Sequence, residues 1–368
     1  MGYVGPEIRE ILVTLARRYA FRDLSYLIGA GATGLALSQR DAARVQQLCA
    51  YGQRLFDLDA EDLANPDAAT GASTDTTFTS LVGDELVPAD LLRRGRRCHV
   101  RQQSAVTDPD ALGSLRPAYR LLLEVIRIRW NRKETLPLLT AVHIASEYAP
   151  ALAWEPVLGH AADPARLRTD PAFTSPDSRW GHDDDPQCPQ TRPEKAAAAR
   201  AMRVSTEPPS GWRAYLDRQH SAVAHALGVC ASSCPDPCTV LTSRPANLRE
   251  PLAERCRIAL AFQRSALVKL RHRAPVGHGF GVPSTMEVTS AWQRTRDGMA
   301  RRGGLGRAAL VDDGCVLPGL RSLISAIAGT PLEPETLLAD IAAEIVNQLD
   351  PESVVPTPSS HTSLGRAH

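Results

Sequence analysis

Two histidines and three cysteines fall within nineteen residues, HSAVAHALGVCASSCPDPC, from His220 to Cys238. Thiolates and imidazoles are soft to borderline ligands, so such a set suits zinc or an iron–sulfur centre. On a helix His220 and His225, five positions apart, diverge by about 140° and cannot face one ion unless the helix ends between them. Gly228 is placed to cap that helix. Cys230, Cys234 and Cys238 would then lie on irregular chain, with Cys256 or His225 as a fourth ligand. Their C-x₃-C-x₃-C spacing matches neither a zinc ribbon nor a ferredoxin run. The sequence therefore favours a cysteine-containing turn over a cluster.

His143 and Glu147, in HIASE, form an i, i+4 pair that shares one helix face, within reach of one metal ion. With Glu155 and His160 they offer a carboxylate–histidine site of the kind built inside helical bundles. A surface hydrogen bond or a satisfied buried histidine is the plainer account. Asp183, Asp184 and Asp185 beside His182 stand among prolines and polar residues, as a solvated loop would.

The stretch LRHRAPVGHGFGVPS carries Arg271, His272 and Arg273 into a loop with Gly277, Gly279 and Gly281 around His278. A helix beginning near Ser284 would present unpaired N–H groups to an anion. This combination suits a phosphate, a carboxylate or the propionates of a haem, with His278 as acid, base or axial ligand. A helix–loop–helix corner with glycines for backbone geometry is the alternative.

Gly29, Gly31 and Gly34 in GAGATG satisfy the dinucleotide-binding spacing, which needs a preceding strand. No acidic residue stands at the expected distance beyond, since Asp57 and Asp59 come late. Arg93 to Arg101 form the densest positive run, without the aromatic or recognition helix that nucleic-acid sites add. No G-x-S-x-G elbow, Walker A loop or H-E-x-x-H motif occurs.

The elements that must position these residues read as helices. The chain has 43% hydrophobic and 23% charged residues but only 5% aromatics, so its core must rest on Leu, Ala, Val and Ile. That composition disfavours a β-sandwich. A formal charge of +1 gives no global field for nucleic acid or an anionic membrane. The longest apolar tract, 136–154, is interrupted by Pro137, His143, Glu147 and Pro150, which argues against a membrane span. No secretory signal opens the chain, so a cytoplasmic protein with eight thiols or ligand cysteines is expected.

Helices are expected from Pro6, with Ile8, Ile11, Leu12, Leu15 and Tyr19 recurring at helical spacing, and from Ser38 to about Phe56. Between them, LSYLIGAGATG reads as either a buried strand entering a glycine loop or two closely packed helices. A block at 116–167 holds two or three helices with Pro137 and Pro150 as breaks or kinks. Further helices cover PEKAAAARAMRV, GWRAYLDRQHSAVAHALGV and PLAERCRIALAFQRSALVKLRHRA. Ser284 and Glu287 have the form of a capping box. Gly329 closes a helix, and Leu337, Leu338, Ile341, Ile345 and Leu349 stripe the last one.

The fold class is thus mainly α, a multi-helix orthogonal array or bundle with two helical blocks, long loops and little or no sheet. The expected division is 1–163, a Pro/Asp-rich linker or loop at 164–192, 193–350, and a disordered tail at 351–368. The functional expectation is a helical groove between the 115–160 and 250–300 blocks that binds a small molecule or protein partner. His278, Arg271 and Arg273 would be its polar contacts. A haem-, iron- or zinc-dependent helical enzyme and a nucleotide-binding enzyme are the competing readings. Neither nucleic acid nor membrane is an expected partner.

Overall fold

Ser38 accepts the Asp41 N–H at 3.1 Å, and the helix behind it runs eighteen residues to Phe56, as its sequence pattern requires. The computed structural model describes residues 6–31, 37–58, 86–98, 113–178, 180, 188–201, 218–236, 238–272 and 281–351. The elements are α1 (Pro6–Arg17), α2 (Phe21–Gly29), α3 (Gln39–Phe56), α4 (Ala89–Arg97), α5 (Arg116–Asn131), α6 (Thr135–Glu147) and α7 (Ala149–Leu158). There follow the short α8 (Pro164–Leu167) and α9 (Pro171–Thr174), then α10 (Arg192–Ala201), α11 (Arg218–Ser232) and the short α12 (Thr239–Thr242). The chain continues as α13 (Ala246–Gln263), α14 (Ala266–His272), α15 (Thr285–Ala300), a 3₁₀ segment Gly304–Leu310, α16 (Leu320–Ala328) and α17 (Leu337–Leu349). The fold is mainly α, and no strand occurs among the described residues.

The second block holds α5, α6, α7 and the short α8; the α6–α7 break falls just ahead of Pro150, as expected, but no break falls at Pro137. Pro137 and Pro150 sit in the first turns of α6 and α7, where a missing N–H leaves no helical bond unmade. The α5–α6 break falls instead at Lys133, whose φ of 62° is left-handed. The single helix expected over 251–274 divides at Arg264 and Ser265 into α13 and α14. Gly228 does not end α11, which continues to Ser232. On α1, Leu12, Val13 and Ala16 face the core while Ile8 and Ile11 are exposed. The reason is that α1 packs on α17 and α2 through the former stripe.

One core runs through both halves of the chain. Trp154 is fully buried and donates from Nε1 to the Leu227 carbonyl at 2.9 Å, tying α7 to α11. α13 packs on α7, α11 and α16, while α17 lies on α1 and α3. The segment between α7 and α10 also enters the core, with Leu167 and Phe173 buried and Phe173 edge-on to Trp180 at 5.2 Å. The apolar stripe of α17 is buried at every expected position. Among the described residues no helix is long and apolar enough to cross a membrane. The tail beyond 351 and the Asp183–Asp185 run lie outside the described residues.

Candidate functional site in an interhelical groove

The i, i+4 spacing that places His143 and Glu147 on one face of α6 turns both into a groove shared with α10, α11, α13 and α14. His143 Nε2 stands 3.6 Å from Glu147 Oε2. Glu147 Oε1 accepts the Ser221 hydroxyl of α11 at 2.7 Å. One turn along α11, His225 Nε2 is 3.1 Å from Glu194 Oε1 of α10, and its Nδ1 is 3.4 Å from Gln263 Oε1 of α13. Gln263 in turn donates from Nε2 to the Glu147 backbone carbonyl at 3.0 Å. His272 of α14 closes the ring, edge-on to His143 with centroids 5.9 Å apart. Two histidine–glutamate pairs and a third imidazole thus line one cavity of about 310 Å³.

Burial holds the His143 imidazole below its ordinary pKa, aided by the charges of Arg271 and His272 and opposed by Glu147. His143 is therefore neutral at neutral pH, and its buried Nδ1 has no hydrogen-bond partner among the described residues. Burial opposes ionisation of Glu194. The Thr191 N–H and hydroxyl bonds, with His225 and Arg264 nearby, outweigh that and hold its carboxyl below the usual range. One pair therefore holds a neutral imidazole and the other a firmly ionised carboxylate.

Comparison with known proteins found no matching family model, no matching curated protein and no matching solved structure. The site must be read from its own chemistry.

The residues singled out in the sequence are distributed unevenly around this groove. His143, Glu147 and His272 line it, and Arg271 lies close enough to act on His143. Glu155 and His160 do not join them. Glu155 accepts the Leu115 N–H at 3.0 Å and the Ser114 hydroxyl at 2.6 Å, securing the start of α5. His160 Nδ1 accepts the Asp163 N–H at 3.3 Å. The four-residue carboxylate–histidine site is therefore not formed, because α7 directs Glu155 back toward α5.

Ser284 takes part in a complete capping box with Glu287, whose carboxylate accepts the Ser284 N–H at 2.8 Å. That carboxylate occupies the helix start that the sequence reading offered to an anion. Arg273, His278 and Gly279 lie outside the described residues, as does Gly34. Gly29 is the last residue of α2 and Gly31 follows it at a φ of 61°. A helix thus stands where the dinucleotide fingerprint needs a strand.

Cys230 is buried on α11, while Cys234 and Cys238 follow the helix. Their arrangement carries no fourth ligand among the described residues: Cys256 is fully buried on α13, and His225 faces the groove. Among the described residues no three His, Cys, Asp or Glu side chains are placed to hold a metal ion.

Nothing in the sequence marks Glu194, Ser221 or Gln263 as site residues, and His225 stands out there only beside the cysteines. The i, i+4 spacing of Ser221 and His225 was the available signal, since it puts both on one face of α11. A second cavity, lined by Arg17, Tyr19, Ala339, Ala342, Ala343, Val346 and Asn347, lacks any such convergence of imidazoles and carboxylates.

Proposed function

We propose that this is a cytoplasmic helical protein that binds a small polar ligand in the groove between α6, α10, α11, α13 and α14. The observation that carries the reading is the convergence of two histidine–glutamate pairs from three helices on one cavity. At about 310 Å³ it falls at the lower end of small-molecule sites. Its lining supplies carboxylate acceptors, imidazoles that donate or accept, and the apolar Ala197, Ala222 and Val268. A small organic molecule bearing hydrogen-bond donors matches that set. The eight cysteines, all thiols, suit a reducing compartment.

A metal- or haem-dependent enzyme at the same groove draws on the same imidazoles, but the spacing of the ligands favours a bound organic molecule. The test is thermal shift against a panel of small amines, amino acids and nucleobases, using wild type, His225→Leu and Glu147→Gln. A compound that raises the wild-type Tm and loses its effect in both variants supports the reading. Binding that persists unchanged in both would overturn it. A Soret band or stoichiometric zinc or iron, in protein purified without chelator or histidine tag, would favour the enzyme instead.

A further inference from the structure

The turn after α11 brings sulfur atoms together. Cys238 Sγ lies 4.0 Å from Cys234 Sγ across the intervening Pro-Asp-Pro, and Cys234 Sγ is 3.0 Å from the Asp236 carbonyl. Cys234 is partly exposed, whereas Cys238 is buried. Cys238 is also the N-cap of α12, with an extended ψ of 151° and no side-chain cap bond. Its thiol is therefore not committed to capping. On the other side Cys230, one turn before Cys234, contacts Cys238 from within the core.

We infer that Cys234 and Cys238 form an oxidisable thiol pair, with Cys234 the attacking and Cys238 the resolving sulfur, and with a hydroperoxide as oxidant. The pair satisfies the two geometric needs of such chemistry, an accessible sulfur and a second sulfur in contact with it. Bridging them requires the sulfurs to close from 4.0 Å to a disulfide bond of about 2 Å.

The steps balance. Cys234 loses its proton, and its thiolate attacks the terminal hydroperoxide oxygen. The O–O bond breaks, the leaving oxygen departs as an alcohol or water with that proton, and Cys234 becomes a sulfenic acid. Cys238 then attacks the Cys234 sulfur, the S–O bond breaks, and hydroxide leaves as water with the Cys238 proton. Two thiols and one hydroperoxide give one disulfide, one alcohol (or water) and one water.

Cys230 stands apart from the reaction for a physical reason. It is buried within α11, out of reach of an oxidant in solvent, whereas Cys234 is partly exposed and so is the sulfur that meets the hydroperoxide first. The other buried cysteines, Cys49, Cys98 and Cys256, are almost fully shielded from water.

The experiment treats the reduced full-length chain with a small excess of hydrogen peroxide, alkylates it, and maps the peptide between Arg218 and Arg244 by fragmentation. The expected product has lost two hydrogens between Cys234 and Cys238 and carries one alkyl group at Cys230. Cys230→Ser keeps this bridge. Cys238→Ser leaves a sulfenic acid on Cys234 that a dimedone reagent traps, and Cys234→Ser abolishes both products. A bridge from Cys230 to Cys238, or Cys234 alkylated as fully as before oxidation, would overturn the assignment. So would irreversible oxidation of wild-type Cys234 with Cys238 still alkylated.

Discussion

Ser221 donates its hydroxyl to Glu147 Oε1 at 2.7 Å, a bond that joins α11 to α6 across seventy-four residues and fixes one wall of the groove. Both side chains are partly buried, so water competes with the bond only incompletely. Ser221→Ala should lower stability by about 1 kcal/mol, the usual net contribution of one such bond. Urea denaturation should show a lower midpoint at unchanged m. A double-mutant cycle with Glu147→Ala, which removes the acceptor, should give a non-additive coupling, and strictly additive effects would show that the two groups do not interact.

His143 sits beside Ser146 and Glu147 on α6, with Arg271 and His272 facing it from α14. Its pKa in the folded protein lies below the ordinary 6.5, chiefly through burial. The unfolded chain therefore binds this proton more readily than the native one. The contribution of His143 to stability is intact above pH 6.5 and is lost as pH falls from 6.5 toward the folded value. Histidine NMR should place its midpoint below 6.5, and His143→Gln should be less acid-sensitive than wild type across that window. A midpoint at or above the ordinary value would remove the basis for a neutral imidazole in the groove.

Helical periodicity made most elements readable: Ser38 and Ser284 cap α3 and α15 as their side chains dictate, and the α17 stripe is buried throughout. What escaped were features decided by a partner in space. The dividing of α13 from α14 at Arg264 leaves Gln263 at a helix end, where it reaches both His225 and the Glu147 carbonyl. Nothing local to Gln263 encodes those contacts. His143 with Glu147 was visible because an i, i+4 pair is a local fact. Glu194 was not, because its partner His225 lies thirty-one residues away on another helix.

Gly228, mid-helix in α11, illustrates a residue whose role is set by tertiary closeness. A Cβ there would lie 3.0 Å from Leu260 Cδ2 and 3.1 Å from Pro150 Cβ. An exposed helical Gly→Ala change normally gains about 1 kcal/mol. Here the Leu260 methyl can yield but the Pro150 ring cannot, so Gly228→Ala should show little or none of that gain. Gly228→Val should destabilise by about 1–3 kcal/mol through overpacking. Guanidinium denaturation checks both, and a full gain for alanine would mean that α11 does not approach α7 and α13 this closely.

Glu124 provides a pH lever on the packing of α5 against α17. It is fully buried on α5 and accepts the Leu338 and Ala339 N–H groups at 3.2 and 3.1 Å, closing the first turn of α17 from outside the helix. Thr336, the N-cap itself, makes no side-chain cap bond. Burial pushes the Glu124 carboxyl up to about 7, although the two N–H bonds and Arg127 favour the charged form. The native state thus keeps a proton that the unfolded chain releases near 4.5. Its stabilising contribution is complete below about 4.5 and is lost as pH rises through about 7. Glu124→Gln keeps an acceptor oxygen for α17 and removes the titration. Wild-type stability should therefore fall relative to Glu124→Gln as pH rises through that interval. Glu124→Leu strands two buried N–H groups at every pH, each costing about 1–3 kcal/mol. Urea midpoints across the interval decide the matter: parallel curves for wild type and Glu124→Gln would mean that Glu124 does not titrate there, and a stable Glu124→Leu would mean that α17 does not need this acceptor.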